Sequence, residues 1–254
     1  MRTTMTTDAS RRKPQPAAAI PPFPLPFTTV DVVIFSVLED QLRVLLVQRP
    51  SKDEEPFPGR WALPGGFVDV DRDRDLEACA RRKLSEKTGV ASPYLEQLGS
   101  WGGRDRDPRG WSATHVYFAL MPADGVTLAK GANAADVGWF EVETLLKRPR
   151  LAFDHAAILK TAVERLRGKV EYTSLPAFLL PQVFTLPQLQ RMYEVVLGRP
   201  VDKSGFRTRM LAAGFLEEAG PMAGDARRAA MGYRLRDRKS AVVFPRTFSP
   251  RQGE

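Results

Sequence analysis

One segment, residues 65–90, constrains the fold of this chain more than any other. It opens with the glycine pair Gly65 and Gly66 and continues through an acidic loop into a long charged stretch. Apolar side chains then recur at a spacing of four residues, at Leu76, Ala80 and Leu84. That spacing predicts an amphipathic helix over residues 73–88. On such a helix the side chains at 83, 86 and 87 share one face, because they are three and four positions apart.

The segment resembles a Nudix box, whose pattern is G-x5-E-x7-R-E-U-x-E-E-x-G-U, with U a bulky aliphatic residue. When the pattern is aligned on its closing glycine, Gly89, the residues Arg82, Leu84 and Glu86 match it. Lys83 and Lys87 occupy the positions of two metal-binding glutamates, and Arg74 occupies that of the early glutamate. The loop after Gly66 is two residues longer than the pattern. The segment therefore predicts a Nudix scaffold whose catalytic carboxylates have been replaced.

These replacements change what the helix face can hold. Nudix hydrolysis needs a divalent cation coordinated by carboxylates. An ammonium group about 5 Å from such a cation is repelled by roughly 6–7 kcal/mol at an effective dielectric constant of about 20. That value is an upper bound, because a lysine side chain can turn away. We expect no metal site and no catalytic residues, with the box residues Arg82, Lys83, Glu86 and Lys87 being vestigial and suited to an anionic ligand.

Composition narrows the class of protein further. The 254 residues suffice for one large or two small domains, and the net charge of +8 makes a polyanionic partner plausible beside the alternative of a merely basic surface. The single cysteine, Cys79, excludes an internal disulfide framework and a multi-cysteine zinc site, and it favours a cytoplasmic location. No apolar run is long enough for a membrane span, and residues 1–10 lack the apolar core of a signal peptide.

The chain divides into three parts by pattern. Residues 1–26 are rich in proline and predict a disordered tail. Residues 27–170 predict a Nudix-type α/β/α sandwich. Its strands are expected at 30–37, 42–47, 114–121 and 137–140, with a hairpin turn at 38–41 and a short helix at 141–146. A later helix should begin after Asp154 as its N-cap and end at Gly168.

Residues 171–248 predict a winged helix-turn-helix domain. Thr185 caps a first helix that ends at Gly198, and Asp202 or Ser204 caps a second one that ends at Gly214. The second helix should direct Phe206, Met210 and Leu211 inward. Two strands, at 215–217 and 232–235, would flank a loop at 221–229. Residues 182–254 carry 13 Lys and Arg against 7 Asp and Glu, so this part holds +6 of the total charge of +8. The alternative is a solvated basic helix in a small domain without a nucleic-acid partner.

The chain as a whole resembles the NrtR group of Nudix-related transcriptional regulators. The resemblance covers about residues 27–246 and is carried by five stretches, at 63–68, 106–110, 151–156, 184–194 and 197–203. It implies a homodimeric repressor of NAD biosynthesis or salvage genes that binds double-stranded operator DNA. It also implies that the Nudix-like domain binds a nucleotide effector, typically ADP-ribose and in some members NAD or ATP, and that this ligand alters the spacing of the winged helices and releases the DNA. Some members of the group retain hydrolase activity.

Several residues are candidates for nucleotide binding. Guanidinium groups can bind phosphate oxygens through paired hydrogen bonds. The candidates for the diphosphate are Arg49, Arg60, Arg82, and Arg104 or Arg109. The candidates for stacking on adenine are Trp61, Phe67, Trp101 and Trp111. Arg82 has the alternative of pairing with a nearby carboxylate, and Trp61 that of an ordinary core residue. His115 and His155 are too isolated to predict a metal site, and His115 is interpreted as a core or pocket-wall residue.

The second helix of the winged domain should enter the major groove, where arginine usually reads guanine. The candidate DNA contacts on it are Lys203, Ser204, Arg207, Thr208 and Arg209. Thr185 and Gln188 are candidates for a phosphate contact at the start of the first helix. Arg234 and Arg236, on the predicted wing, are candidates for a neighbouring groove. A dimer would read half-sites roughly one or two helical turns apart.

Three functions are compatible with these patterns. The first is a repressor with a catalytically inactive Nudix sensor. The second is an active hydrolase of ADP-ribose or a related dinucleotide that uses its winged helix to dimerise. Such an enzyme would hold its metal through Glu86 and four aspartates of the acidic loop, Asp69, Asp71, Asp73 and Asp75. The third is a protein–protein interaction module, which would lack the steep salt dependence of phosphate contacts.

Overall fold

The computed structural model describes residues 25–52, 54–89, 94–124, 126, 128–129, 134–222 and 230–244. Most of the predicted tail at 1–26, residue 90 of the box and most of the predicted loop at 221–229 lie outside these residues. None of the described helices is long and apolar enough to cross a membrane.

The first part of the chain is a mixed sheet between two helical layers. The strands are β1 (Phe27–Leu38), β2 (Gln41–Gln48), β3 (Trp61–Ala62), β4 (Gly65–Phe67), β5 (Tyr94–Gly103), β6 (Ser112–Leu120) and β7 (Asp136–Glu141). Their order is β3-β2-β1-β6-β5, with β4 paired to β1 and β7 to β2. Only β1 and β6 run parallel among the described pairs. Helix α1 (Leu76–Thr88) covers one face, and α2 (Val142–Lys147) with α3 (His155–Val170) covers the other.

This arrangement confirms the predicted sandwich. The predicted hairpin between the first two strands is also present, since Glu39 and Asp40 both have positive φ, at 51° and 58°. Two consecutive residues of that kind are typical of the tight turns that match the twist of antiparallel strands. Helix α1 begins at Leu76, three residues after the predicted start, because Asp75 is its N-cap and accepts a hydrogen bond from the backbone N of Ala78.

Of the two expectations about α3, the start after Asp154 was met and the end at Gly168 was wrong. Asp154 does sit at the N-cap position, but it makes no capping hydrogen bond within the described residues, because its carboxylate accepts from Arg106 instead. Gly168 does not end the helix, which continues to Val170. Val170 is buried in the core and Lys169 binds Glu96 on β5, so packing of the last turn outweighs the weak helix propensity of glycine.

Because Gly168 lies inside a helix, replacing it with alanine should stabilise the protein. Apart from the adjacent residues and the backbone of the helix itself, no described atom lies within 4 Å of a Cβ built at this position. We expect Gly168→Ala to raise the free energy of unfolding by about 0.5–1 kcal/mol in urea denaturation. Gly198→Ala is the matched control, since its Cβ is equally free but φ is +69°, and it should be destabilising. A loss of stability in Gly168→Ala would contradict the helical role of this residue.

The second part is a winged helix domain, as predicted. It consists of a 3-10 helix (Leu175–Leu179), β8 (Phe184–Thr185), α4 (Leu186–Leu197), α5 (Lys203–Ala212), β9 (Leu216–Met222) and β10 (Ala230–Leu235). Thr185 and Gln188 form a reciprocal capping box at α4, and Asp202 caps α5 through the backbone N of Gly205. The wing strands are longer than predicted. Leu211 was expected to face inward and is 42% exposed instead, because only Phe206 and Met210 of α5 reach the core.

The two parts of the chain share one core. A single cluster of buried apolar side chains extends from Val33 and Phe118 of the sheet through α3 to Tyr193 of α4 and Phe244. The hydroxyl of Tyr193 donates to the carbonyl O of Thr173 at 2.7 Å. On the surface, Arg191 of α4 binds Asp40 of the first hairpin turn at 2.9 Å. The winged helix therefore docks on the sandwich through apolar packing and polar contacts.

Candidate functional site

A cavity of about 720 Å³ opens between α1, the β4 loop and the start of α3. Its volume lies within the range of small-molecule sites. Seven cationic residues line it: Arg49, Lys52, Arg82, Lys83, Lys87, Arg106 and Arg109. Four anionic residues line it as well: Asp31, Glu55, Asp69 and Asp107. With His155 neutral, positive charges exceed negative ones by three, so the cavity favours an anionic ligand.

On the α1 side, Arg82 binds the acidic residues that remain in the box. It donates to both oxygens of the buried Asp73, at 2.7 and 2.6 Å, and to Glu86 at 3.0 Å. These hydrogen bonds from Arg82 hold the pKa of Asp73 well below its usual value, and the same pair raises the pKa of Arg82. Asp75 is engaged as the cap of α1. Arg82 therefore has the carboxylate partners that its alternative, structural role required.

Lys83 and Lys87 both reach the cavity wall. The Nζ of Lys83 lies so near the β4 loop that a Cβ built on Gly66 would be 3.1 Å from it. Burial lowers the pKa of Lys87. Among the described residues, no group of three or more His, Cys, Asp or Glu side chains is placed to hold a metal ion. With two ammonium groups on this face and Glu86 paired to Arg82, the residues do not fit the magnesium ion of Nudix enzymes.

The floor of the cavity is a buried ionic network around Asp31. Its carboxylate accepts from the hydroxyl of Thr114 at 2.7 Å and lies 3.6 Å from both Arg106 and His155. Burial opposes ionisation of Asp31, but His155, Thr114 and Arg106 together hold its pKa below the usual value. The backbone N of Leu63 donates to Nδ1 of His155 at 2.9 Å, so the proton of the neutral ring is on Nε2, which faces Asp31.

At the mouth of the cavity, two arginines stack on aromatic rings. The guanidinium of Arg109 lies 5.3 Å from the ring centroid of Phe67 and 6.0 Å from that of Phe27, and it binds Asp107. The guanidinium of Arg49 lies 5.0 Å from the ring of Phe153 and binds Glu55. These carboxylates keep the arginines oriented. Each guanidinium therefore lies beside an aromatic ring, and this pairing of a cationic with an aromatic surface suits a phosphorylated aromatic ligand.

The structure brings together only part of the predicted nucleotide site. Four predicted residues line the cavity: Arg49, Phe67, Arg82 and Arg109. Five lie outside its wall: Arg60, Trp61, Trp101, Arg104 and Trp111. Ala62 faces the cavity, and successive residues of a strand point to opposite sides, so the ring of Trp61 packs on Phe140 at 4.5 Å instead. His115 is also outside and hydrogen-bonds Ser100.

Five charged residues of the cavity were not predicted from the sequence, and His155 was given no role there: Asp31, Lys52, Glu55, Arg106 and Asp107. A charged residue within the apolar run of β1 was the available signal for Asp31, since such residues are rarely fully buried unless paired.

The predicted DNA-contacting residues differ in whether their side chains already have partners within the protein. Four of them are exposed on α5, and their side chains make no hydrogen bond or ion pair with the described part of the chain: Lys203, Ser204, Arg207 and Thr208. Arg209 instead donates to the carbonyl O of Glu171 at 3.1 Å and stacks on Phe244. Thr185 and Gln188 are engaged in the capping box. Arg234 pairs with Glu217, and Arg236 donates to the carbonyl O of Leu216.

Comparison with known proteins agrees with this two-part architecture. A model of the Nudix domain matches residues 27–162, and a model of the NrtR DNA-binding winged helix domain matches residues 176–235. A relative from Acinetobacter baylyi, the ADPR responsive transcriptional repressor NtrR, is 44% identical over 233 residues, which are 91% of each chain. The chain belongs to the NrtR family. It is therefore a transcriptional regulator that joins a Nudix domain to a winged helix.

Two solved NrtR structures from Shewanella oneidensis are similar to the chain. One is NrtR complexed with a 27mer DNA, which is 42% identical and matches with a TM-score of 0.76 over 85% of this chain and 97% of that one. The other is the Nudix domain of NrtR complexed with ADP ribose, which is 46% identical and matches with a TM-score of 0.51 over 57% of this chain and 90% of that one. The similarity to NrtR therefore includes both the domain that contains the cavity and the domain that contains helix α5.

Proposed function

We propose that this NrtR-family protein represses genes of NAD biosynthesis or salvage and that its Nudix domain binds ADP-ribose as an effector without hydrolysing it. The observation that carries this proposal is the net positive charge of the cavity. Two glutamate positions of the box hold Lys83 and Lys87, and the carboxylates of Asp73 and Glu86 are paired with Arg82. The relatives that bind DNA and ADP-ribose support the assignment of partners.

The chemistry of the cavity wall suits ADP-ribose. Its diphosphate would bind to Lys83, Lys87 and Arg106, three cationic residues of the cavity wall. These cations would take the neutralising role that a metal has in hydrolases. Its adenine would meet the aromatic surface at Phe67 and Arg109, where a base can stack on both a ring and a guanidinium plane. NAD and ATP share the adenine and the diphosphate, so they are the competing effectors to be compared with ADP-ribose.

The hydrolase alternative has less support, because its carboxylates are not assembled. Asp73 and Glu86 bind Arg82, and Asp75 caps α1. Asp69 accepts a hydrogen bond from the backbone N of Asp71, within its own loop.

We infer that the protein acts as a cytoplasmic homodimer that presents two copies of α5 to half-sites on one face of the operator.

The proposal is tested by measuring binding to promoter fragments of NAD genes by fluorescence anisotropy. We expect tight binding that weakens steeply with salt, because several phosphate contacts release counterions. Adding ADP-ribose without metal should release the DNA. Absence of promoter binding at low salt would refute the repressor, and binding without salt dependence would favour a protein–protein module.

Arg207 offers a sharper test of the DNA surface. Its side chain is exposed on α5 and has no hydrogen bond or ion pair within the described residues. Arg207→Ala should weaken DNA binding by about 1–3 kcal/mol if it touches a base edge, and it should leave ADP-ribose binding and the free energy of unfolding unchanged.

Two further arginine variants complete this test. Arg209→Ala should weaken DNA binding and also destabilise the fold, since it removes the contacts to Glu171 and Phe244. Arg81→Ala on the exposed face of α1 is the control and should alter neither property. Equal loss of DNA and nucleotide binding in Arg207→Ala would indicate misfolding and contradict the assignment.

A further inference from the structure

One buried arginine connects the cavity to helix α3. Arg106 forms part of the cavity wall, and only 8% of its side chain is exposed. Its Nε and Nη2 donate to the two carboxylate oxygens of Asp154, each at 3.0 Å. The same Nη2 also lies 3.6 Å from a carboxylate oxygen of Asp31. A ligand phosphate that reaches Arg106 therefore meets a guanidinium already engaged with the residue that precedes α3.

Asp154 occupies the N-cap position of α3 without capping the helix through its side chain. A side chain at the N-cap position normally accepts hydrogen bonds from the free backbone amides of the first helical turn. At Asp154 the backbone carbonyl accepts from Ala157 and Ile158, but its side chain makes no capping bond in the described structure. The backbone of Asp154 is at φ −91° and ψ 14°, and the amides of His155 and Ala157 already donate to the carbonyls of Ala152 and Asp154. The carboxylate, which this structure shows on Arg106, can therefore cap α3 only if Asp154 turns to an extended backbone conformation.

The far end of α3 contacts both helices of the winged domain. The 16 residues of α3 extend over about 24 Å at 1.5 Å per residue. Nε of Arg167, near its end, donates to the carbonyl O of Val196 on α4 at 3.0 Å. The next residue after the helix, Glu171, accepts from Arg209 of α5 through its carbonyl O and binds Arg199 through its carboxylate at 2.7 Å. A displacement of α3 along or about its axis would move α4 and α5 with it.

We propose that Arg106 is the residue that senses the effector phosphates and that Asp154 transmits the signal to α3. A bound diphosphate takes the guanidinium from Asp154. The released carboxylate caps α3, and the helix shifts its contacts with α4 and α5. Arg106 suits this exchange because guanidinium forms bidentate pairs with phosphate and carboxylate alike. This inference rests on the proposed function, since it requires an effector that weakens DNA binding.

The proposal predicts opposite changes in two affinities. In Asp154→Asn the amide can cap α3 but cannot pair ionically with Arg106, so the free variant should resemble the effector-bound protein. We expect tighter ADP-ribose binding and weaker DNA binding than in the natural protein. The coupling factor is the ratio of the ADP-ribose dissociation constants with and without DNA. It is expected to be roughly 5–150 in the natural protein and to fall to about 1–2 in the variant.

The experiment is titration of the full-length protein with ADP-ribose, alone and bound to a duplex selected by the protein from a random pool. Asp154→Ser, which can also cap, is a second variant and should behave like Asp154→Asn. Glu77→Gln, which removes the exposed pair with Arg81 on α1, is the matched control and should keep the natural coupling. Thermal unfolding checks that each variant is folded.

The outcomes separate this inference from the proposed function. If ADP-ribose does not alter DNA binding by the natural protein, the proposed function fails. If it does, but the Asp154 variants keep the natural coupling, the inference is overturned. Weakening of both affinities in folded variants would also overturn it, because damage to the fold lowers both whereas release of Arg106 raises one. Unfolding of both variants would make the Arg106 pair a structural requirement rather than an exchangeable one, which likewise contradicts the inference.

Discussion

Gly65→Ala is expected to lower the free energy of unfolding by about 3–5 kcal/mol and to abolish nucleotide binding. A Cβ at this position would overlap Oδ1 of Asp31 and lie 2.6 Å from the carbonyl oxygen of Val30. The carbonyl belongs to the central strand β1 and cannot move aside. Overpacking in a core costs about 1–3 kcal/mol, and separating a buried charge from its partners costs about 3–5 kcal/mol. The displaced Asp31 would lose its contacts with Thr114, Arg106 and His155.

The measurement is urea denaturation together with isothermal titration with ADP-ribose. Gly103→Ala is the matched control, because this glycine is also in a strand of the same sheet but no described atom lies within 4 Å of a Cβ placed on it. It should be close to neutral. If Gly65→Ala were as stable as Gly103→Ala, the close approach of β4 to Asp31 would not be the constraint that the structure indicates.

Local signals in the sequence were sufficient for much of the fold. Thr185 was predicted to cap α4 and Gly198 to end it, and the structure places both residues at those positions. These signals work because capping satisfies backbone groups that every isolated helix leaves free. The prediction that Gly168 would stop α3 failed because the packing of Val170 is not local.

Strand β5 illustrates a second limit of prediction from local sequence. No strand was predicted at Tyr94–Gly103, which contains three glycines and lacks a continuous apolar run. The strand exists because it pairs with β6 from Tyr94↔Leu120 to Gly103↔Ser112, with one register shift between Gln97 and Gly99. Its conformation is set by the partner strand, so its own residues carry a weak signal.

In the candidate site, too, local features could be predicted from the sequence and long-range contacts could not. The charges of α1 were predictable, since spacings of three and four place Lys83, Glu86 and Lys87 on one helical face. The Asp31 network was not, because it joins residues 83 positions apart, and only the parallel pairing of β1 with β6 brings Asp31 beside Thr114. Arg106 is likewise placed by a contact over 48 positions, to Asp154.

The double substitution Lys83→Glu and Lys87→Glu is expected to make ADP-ribose binding dependent on magnesium. Both side chains line the cavity, so the change replaces two positive charges near the diphosphate with two negative ones. One pair of unit charges at 4 Å is worth up to about 4 kcal/mol at an effective dielectric constant of about 20. We therefore expect affinity in EDTA to fall by at least about 100-fold, which corresponds to about 2.7 kcal/mol.

Magnesium should restore much of that affinity in the double variant, because the two new carboxylates give the cation oxygen ligands beside the phosphates. The natural protein should bind ADP-ribose equally well in EDTA and in magnesium, since its own ammonium groups already offset the charge of the phosphates. Isothermal titration under both conditions measures this difference. Lys83→Gln with Lys87→Gln is the matched control. It removes the positive charge without adding a metal ligand, so it should lower affinity to a smaller extent and gain nothing from magnesium.

The comparison also decides between sensor and hydrolase. A hydrolase that used Glu86 and the aspartates of the 69–75 loop would need magnesium in the natural protein, and Glu86→Gln would abolish its turnover. A sensor has no such requirement, because Glu86 is already paired with Arg82 and contributes no free charge to the cavity. Magnesium-dependent binding or turnover by the natural protein would therefore overturn the interpretation that lysines have replaced the metal. Magnesium dependence confined to the double glutamate variant would establish that these two positions determine how the cavity compensates a diphosphate.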